Sequence, residues 1–337
     1  MFNCANPIRV KVYNRVQHRD VLCYVPCGRC YHCINKNVNE WRQRLMWTYK
    51  YSHSCAFVTL TVAPRFYKQI LNNPKREVQN FLKRFRKNHP YDTKSLNFKY
   101  YVCSELGHDK GRLHFHVLFF NQLLSGESLY QLIKKCWKYG IIDVSKRPIG
   151  EKAINYVTKY ILNRTFRPKP KKILCDEKRV FNSKTYYSYH YESIKPKEWY
   201  WSLKSNGIGT ECLTKHFANY LLNNNGSYLV DSKFGKKQVF VCKYIFNKLE
   251  PFNSQKYEQL KNQRYNKFFD TSSETALGVY SFYAGDCIDE ETGLISKPFE
   301  EYGREFAQIR ESAILKSSQL KTKYKFKSPP NVDFFPN

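Results

Sequence analysis

A chain of 337 residues, 42% of them hydrophobic, is long enough for one large domain or two ordinary ones and can bury a real core. Its formal net charge of +29 is out of scale for an enzyme of small neutral metabolites and points to a polyanionic partner instead. No run of about 18 apolar residues is present, so no membrane-spanning helix is expected. Met1-Phe2-Asn3-Cys4 opens without the apolar core of a secretion signal, so the chain is expected to stay in the cytoplasm. Its 12 cysteines are then reduced or metal-bound rather than paired. The charge is unevenly placed: residues 1–100 carry 19 basic and 4 acidic side chains, residues 101–200 carry 19 and 9, and the remainder 19 and 15. The nucleic-acid-facing part is therefore expected in the first 200 residues.

In chain order, residues 1–33 read as irregular and Cys-rich. Residues 34–52 read as a helix rich in Arg, Trp and Tyr. Cys55 to Val62 is a strand by its β-branched content and alternation, ended by Pro64. Asn73-Pro74 starts a helix to about Asn88, with Val78, Phe81, Leu82 and Phe85 at helical spacing. Phe98 to Ser104 and Leu113 to Phe120 are strands, joined as a hairpin through the Gly107–Gly111 turn. Ser128 to Tyr139 is a helix, Ile141 to Val144 a short strand, and Glu151 to about Asn163 a helix. Strands and helices mixed around an antiparallel hairpin give an α+β fold. Arg167 to Lys172 is basic and broken by Pro, which suits a boundary or a DNA-facing loop with Lys169, Lys171 and Lys172. Residues 173–240 follow no clear period. Residues 250–337 are polar and end in a tail.

Three groups of residues carry chemistry. On the strand Leu113–Phe120, alternation puts His114 and His116 on one face, about 7 Å apart, while Phe115, Val117 and Phe119 face a core. Two imidazoles on one sheet face can grip a divalent metal. Glu105, just across the hairpin turn from His114, is the nearest acidic third ligand. Tyr156 and Tyr160 lie one helical turn apart with Lys159 between them. A tyrosine oxygen can act as a covalent nucleophile, and a nearby Lys can stabilise a phosphate charge or lower a phenol pKa. Among 27 tyrosines, such a pair on its own serves equally as packing. Cys27-x-x-Cys30-x-x-Cys33, with Cys23 beside it, has metal-ligand spacing and would suit a structural zinc; an Fe–S cluster or reduced thiols are the alternatives. Trp41, Arg42 and Arg44 on the following helix suit base stacking and phosphate contact.

Taken together these residues resemble the HUH endonucleases, the rolling-circle replication initiators, and within them the initiators of small single-stranded DNA phages, the microviruses of the gokushovirus group. Phe57-Val58-Thr59-Leu60-Thr61-Val62 is similar to the first family motif, His114-Phe115-His116 to the metal motif, and Tyr156-Val157-Thr158-Lys159-Tyr160 to the two-tyrosine motif. Val25-Pro26-Cys27-Gly28-Arg29-Cys30 and Gly207-Ile208-Gly209 also resemble gokushovirus segments. Thr158, Leu162 and Asn163 depart from the phage pattern. The resemblance implies a central antiparallel sheet like an RNA-recognition motif, flanked by helices, with the tyrosine helix facing the metal. It implies Mg or Mn, nicking and religation through a 5′-phosphotyrosine, and phage origin DNA, single-stranded or as the supercoiled replicative form. It also implies the host helicase and polymerase as partners, with no membrane and no small-molecule substrate. Which tyrosine attacks first is left open.

The organisation expected is a Cys-rich, Arg/Trp-rich segment and helix at 1–52, a nickase core at 53–170, an accessory basic region at 171–245 and a C-terminal extension at 246–337. Two other readings fit parts of the chain. One is a non-catalytic, zinc-containing nucleic-acid-binding protein, which predicts no covalent DNA adduct. The other is a relaxase or transposase of the same superfamily, against which stands the absence of a third histidine after His116.

Overall fold

The computed structural model describes residues 8–28, 31–107, 112–146, 149–166, 171–181, 184–192, 200–232 and 235–284. The fold is α+β, and it divides into two units, residues 34–214 and residues 1–33 with 215–337. That division cuts across the boundaries expected at 52, 170 and 245.

Residues 34–214 are built on a five-stranded sheet in the order β6-β3-β5-β4-β9, antiparallel at every pairing. The strands are β3 (Cys55–Thr61), β4 (Lys99–Leu106), β5 (Leu113–Phe120), β6 (Ile142–Val144) and β9 (Ser202–Lys204). The histidine strand β5 is central, hydrogen-bonded to β3 on one side and β4 on the other. The β4–β5 hairpin closes where Gly107 N–H donates to the Arg112 carbonyl at 2.7 Å.

Helix α1 (Tyr31–Lys50) precedes the sheet; α2 (Tyr67–Asn72), α3 (Pro74–Asn88), α4 (Gly126–Cys136) and α5 (Glu151–Phe166) connect its strands. Helix α3 begins where the sequence reading puts it: the Asn73 side chain accepts from Arg76 N–H at 3.1 Å and Pro74 fills the first turn, where no N–H is needed. Its apolar stripe of Val78, Phe81, Leu82 and Phe85 is fully buried, as hydrophobic spacing of three and four demands. Phe85 stacks on Phe119 of β5, with ring centroids 4.7 Å apart, and Phe81 meets Trp137 edge-on at 5.7 Å. The main core therefore lies between this sheet face and α3 and α4.

Helix α1 is locked in place by the Gly207-Ile208-Gly209 loop. Gly209 has φ of +88°, and a Cβ there would stand 2.8 Å from Arg44 Cα, so only glycine permits this approach. Gly209 N–H donates to Thr48 Oγ1 at 2.7 Å and to Glu211 Oε2 at 2.9 Å, and Glu211 forms a buried ion pair with Lys99 of β4. A separate hairpin, β7 (Lys171–Phe181) with β8 (Lys184–Glu192), follows α5.

In the second unit, residues expected to be irregular form a hairpin: β1 (Ile8–Asn14) pairs with β2 (Arg19–Val25), from Ile8 opposite Val25 to Asn14 opposite Arg19. The turn is built by Asn14, whose side-chain oxygen accepts from Val16 N–H at 2.9 Å and Gln17 N–H at 3.2 Å. Helix α6 (Lys215–Asn223), the hairpin β10 (Ser227–Ser232) and β11 (Gly235–Phe240), α7 (Lys243–Phe246) and the long α8 (Ser254–Ala284) complete the unit. Tyr265 of α8 ties down the first hairpin, accepting from Arg15 N–H at 3.1 Å and donating to the Tyr13 carbonyl at 3.0 Å. Strand and helix thus occupy much of 173–240, where no period was legible. Among the described residues no helix is long and apolar enough to cross a membrane.

Candidate active site

The histidines share a face of β5, with parallel rings (6°) whose centroids are 6.4 Å apart. Strand register sets their neighbours: Glu105 lies directly opposite His114 on one side, and Thr59 opposite His116 on the other. The Glu105 carboxylate reaches diagonally past His114, and its Oε2 accepts from His116 Nε2 at 2.9 Å. Because a carboxylate only accepts, a neutral His116 keeps its proton on Nε2 and takes the Thr59 hydroxyl proton at Nδ1, 3.2 Å away. The His116 ring is stacked on Phe57 (5.6 Å, 10°) and on Tyr160 (5.5 Å, 16°), which fixes its plane.

The tyrosines arrive on α5. Ile154 and Val157 bury one side of the helix, and Thr158, an alanine in the phage pattern, satisfies its buried hydroxyl by donating to the Ile154 carbonyl at 2.9 Å. The i, i+4 spacing then brings both phenols to the histidine face, with ring centroids 5.2 Å apart. Tyr160 is 4% exposed, and its phenol is hydrogen-bonded with Glu105 and with Tyr156. Tyr156 is 36% exposed and meets His116 edge-on at 5.2 Å. One continuous hydrogen-bonded chain results: Tyr156, Tyr160, Glu105, His116, Thr59. Lys159 Nζ stands 4.0 Å from the Tyr156 ring centre and 5.1 Å from that of Tyr160, so it meets their π faces.

Burial acts to raise the Glu105 carboxyl, but hydrogen bonds from His116 and Tyr160 and the charges of both histidines carry it below the ordinary carboxylate value. Burial holds His114 below the ordinary imidazole value, against the hydrogen bond with the Arg112 backbone. Both phenols are raised, Tyr156 chiefly by burial and Tyr160 by burial and its bonds with Glu105 and Tyr156. The expectation that Lys159 lowers a phenol pKa is not met, because burial and the Glu105 charge act the other way.

Among the described residues no group of three or more His, Cys, Asp or Glu forms a ready-made metal cage. The donors on the histidine face nonetheless fit one. His114 Nδ1 is buried without a hydrogen-bond partner, and Glu105 and His116 present a carboxylate oxygen and a ring nitrogen to each other. Separating that pair leaves two imidazoles and a carboxylate on one face, a set suited to a divalent cation.

The remaining sequence-selected residues are dispersed. Trp41 is half-buried on α1, and the Arg44 guanidinium carbon lies 4.0 Å from its ring centre. Arg44 Nε donates to the Ile208 carbonyl at 2.9 Å, which commits it to holding the glycine loop. Arg42 Nη1 donates to Asn39 at 3.0 Å. Cys23 is buried on β2, Cys27 and Cys33 are half-buried, and Cys30 lies outside the described residues. Lys169 also lies outside them; Lys171 and Lys172 begin β7, and their side chains are not described. Thr59 was legible only as part of the Thr-Leu-Thr motif, and strand register gives it its partner. Trp201 and Lys204, beside β4, carried no sequence signal.

No curated protein and no solved structure matches the chain. A family model, that of the replication-associated protein ORF2, matches residues 55–165, the span from the start of β3 nearly to the end of α5 that holds every residue of the histidine and tyrosine network. Residues 55–165 are therefore a domain of this rolling-circle replication initiator family.

Proposed function

We propose that this chain starts rolling-circle replication by nicking one strand of origin DNA, with Tyr156 as the first nucleophile and Glu105 as the proton acceptor. The observation that carries the reading is the hydrogen-bonded chain from the half-exposed Tyr156 through the buried Tyr160 to the Glu105 carboxylate. Only Tyr156 of the pair offers its phenol to an incoming backbone, and Tyr160 gives its proton a path inward. The Tyr156 oxygen bonds to phosphorus, the P–O3′ bond breaks, and a 5′-phosphotyrosine and a free 3′-hydroxyl result. The phenolic proton passes by way of Tyr160 to Glu105 and the leaving oxygen takes one up, so the proton count is unchanged. Religation is the same step in reverse and needs no nucleotide triphosphate. Tyr160, freed of its neighbour's proton, is placed to take a second cleavage.

His114, His116 and Glu105 would hold Mg or Mn, which when bound supplies Lewis-acid polarisation of the scissile phosphate. Thr59, Phe57 and Tyr160 orient His116 through a hydrogen bond and two stacking contacts. Lys159 neutralises charge near the attacked phosphate. The net charge of +29 supports a DNA substrate and predicts steep salt dependence of binding. On the resemblance to phage initiators, the substrate is phage origin DNA, the partners are the host helicase and polymerase, and the place of action is the bacterial cytoplasm. The spacing of Cys23, Cys27, Cys30 and Cys33 supports a zinc staple.

The test uses labelled single-stranded oligonucleotides tiling a candidate origin, incubated with protein and Mn²⁺ and run on a denaturing gel. The wild type is expected to give a covalent protein–DNA band. Tyr156→Phe with Tyr160→Phe abolishes it, as does His114→Ala. DNA binding without a band on any origin sequence contradicts the proposal and favours a non-catalytic binding protein.

A further inference from the structure

Beside the histidine face, within residues 34–214, lies a cleft of about 400 Å³, part of it open to solvent. Tyr160 lines it, together with Trp41 and Asn37 of α1, Tyr101 of β4, and Trp201 and Lys204 at β9. The volume falls in the range of small planar ligands. Most of this lining comes from outside residues 55–165, so the cleft is added to the replication domain by this chain's own flanks.

We infer that the cleft is a base pocket: it takes one unpaired nucleobase of the bound strand, next to the scissile phosphate. The inference rests on the reading of the neighbouring site as one that handles single-stranded DNA. Three observations carry it. First, the walls are aromatic, Trp41 lying 5.7 Å from Tyr101 between ring centres, which suits a flat heterocycle. Second, the indole N–H of Trp201 is buried without a hydrogen-bond partner, a donor that a base carbonyl or ring nitrogen would satisfy. Third, the exposed Lys204 places Nζ 4.0 Å from the Trp41 ring centre. A Lys over an aromatic face is a weak, easily exchanged contact, and stacking of a base is the stronger one. An entering base therefore displaces Lys204 from the ring, and its ammonium is left to pair with the adjoining phosphate. Because Tyr160 both lines the cleft and stacks on His116, a base seated there sets which phosphate lies over the tyrosines. The pocket thus fixes the nick position by holding one nucleotide out of the stack.

The test scans the same origin oligonucleotides with full-length protein and Mn²⁺, placing a single 2-aminopurine, or a single abasic site, at each position around the nick. In the wild type one position adjoining the nick is expected to show quenched fluorescence on binding, and an abasic site there weakens Kd about tenfold. In Trp41→Ala the abasic penalty at that position disappears, and Trp41→Phe restores part of it. Lys204→Ala lowers the slope of log K against log salt by about one. An abasic scan of the wild type with no position costing about threefold or more overturns the pocket without recourse to any variant. So does a penalty that persists in Trp41→Ala. The covalent band reports separately: a band without a sensitive position sinks the pocket alone, and a sensitive position without a band sinks the nicking chemistry alone.

Discussion

Strand β5 turns two faces to two different neighbours. Phe115, Val117 and Phe119 are fully buried against α3, α4 and Trp137, where what matters is volume and shape. His114 and His116, one residue out of phase, face α5, where each polar contact has a direction: Glu105 to His116, His116 to Thr59, Tyr160 to Glu105. Parity along one strand separates what holds the fold from what acts on a substrate. A one-residue slip of register would exchange the two sets, so the apolar face also fixes the alignment of the chemical one.

The comparison can be broken from either side. Phe119→Ala strikes the packing face and is expected to cost about 3–5 kcal/mol in chemical denaturation; a loss under about 1 kcal/mol would mean this face is not the core. Glu105→Gln strikes the other face. It keeps the shape but removes the proton acceptor, so cleavage should slow about a hundredfold or more with the melting temperature nearly unchanged. Gly209→Ala tests whether α1 is held by close approach. With φ of +88° and Arg44 in the way, it should destabilise by about 1–3 kcal/mol.

Two smaller effects sharpen the account. Burial, with the neighbouring Cys103 adding to it, raises the Tyr101 phenol. The unfolded chain releases that proton first, near pH 10, so this contribution is complete below about pH 10 and is lost as pH rises toward the folded value. Tyr101→Phe should make the alkaline fall in stability shallower, by urea titration at stepped pH, and an unchanged slope would deny the burial effect. Asn73→Ala removes the cap of α3 and should cost about 1 kcal/mol, with thermal unfolding as the readout.

Much of the histidine domain was legible because local signals and tertiary packing agree there. Strand β5 and helix α3 fall where alternation and the Asn-Pro start place them, since each has one face in a single core. The pairing of Glu105 with His116 rather than its register partner His114 was not legible, because a diagonal reach depends on side-chain rotamers. The hairpin of residues 8–25 was hidden by its mixed composition: Val10, Val12, Val21 and Cys23 alternate with Lys, Tyr, Leu and Arg over only seven residues per strand. The cleft was illegible for another reason. Trp41, Tyr101, Tyr160 and Trp201 stand on four segments far apart in the chain, and only the sheet order β5-β4-β9 and the glycine lock on α1 bring them together.

The most direct test of the central claim is to trap the covalent DNA adduct, digest it with trypsin and nuclease, and locate the residual nucleotide by mass spectrometry. The sequence separates the two candidates, since cleavage after Lys152, Lys159 and Arg164 puts Tyr156 and Tyr160 on different peptides. The account predicts that a single-turnover reaction leaves the nucleotide on the Ala153–Lys159 peptide, at Tyr156. A nucleotide found mainly on Tyr160, or outside residues 153–164, would contradict the assignment of the exposed phenol as first nucleophile.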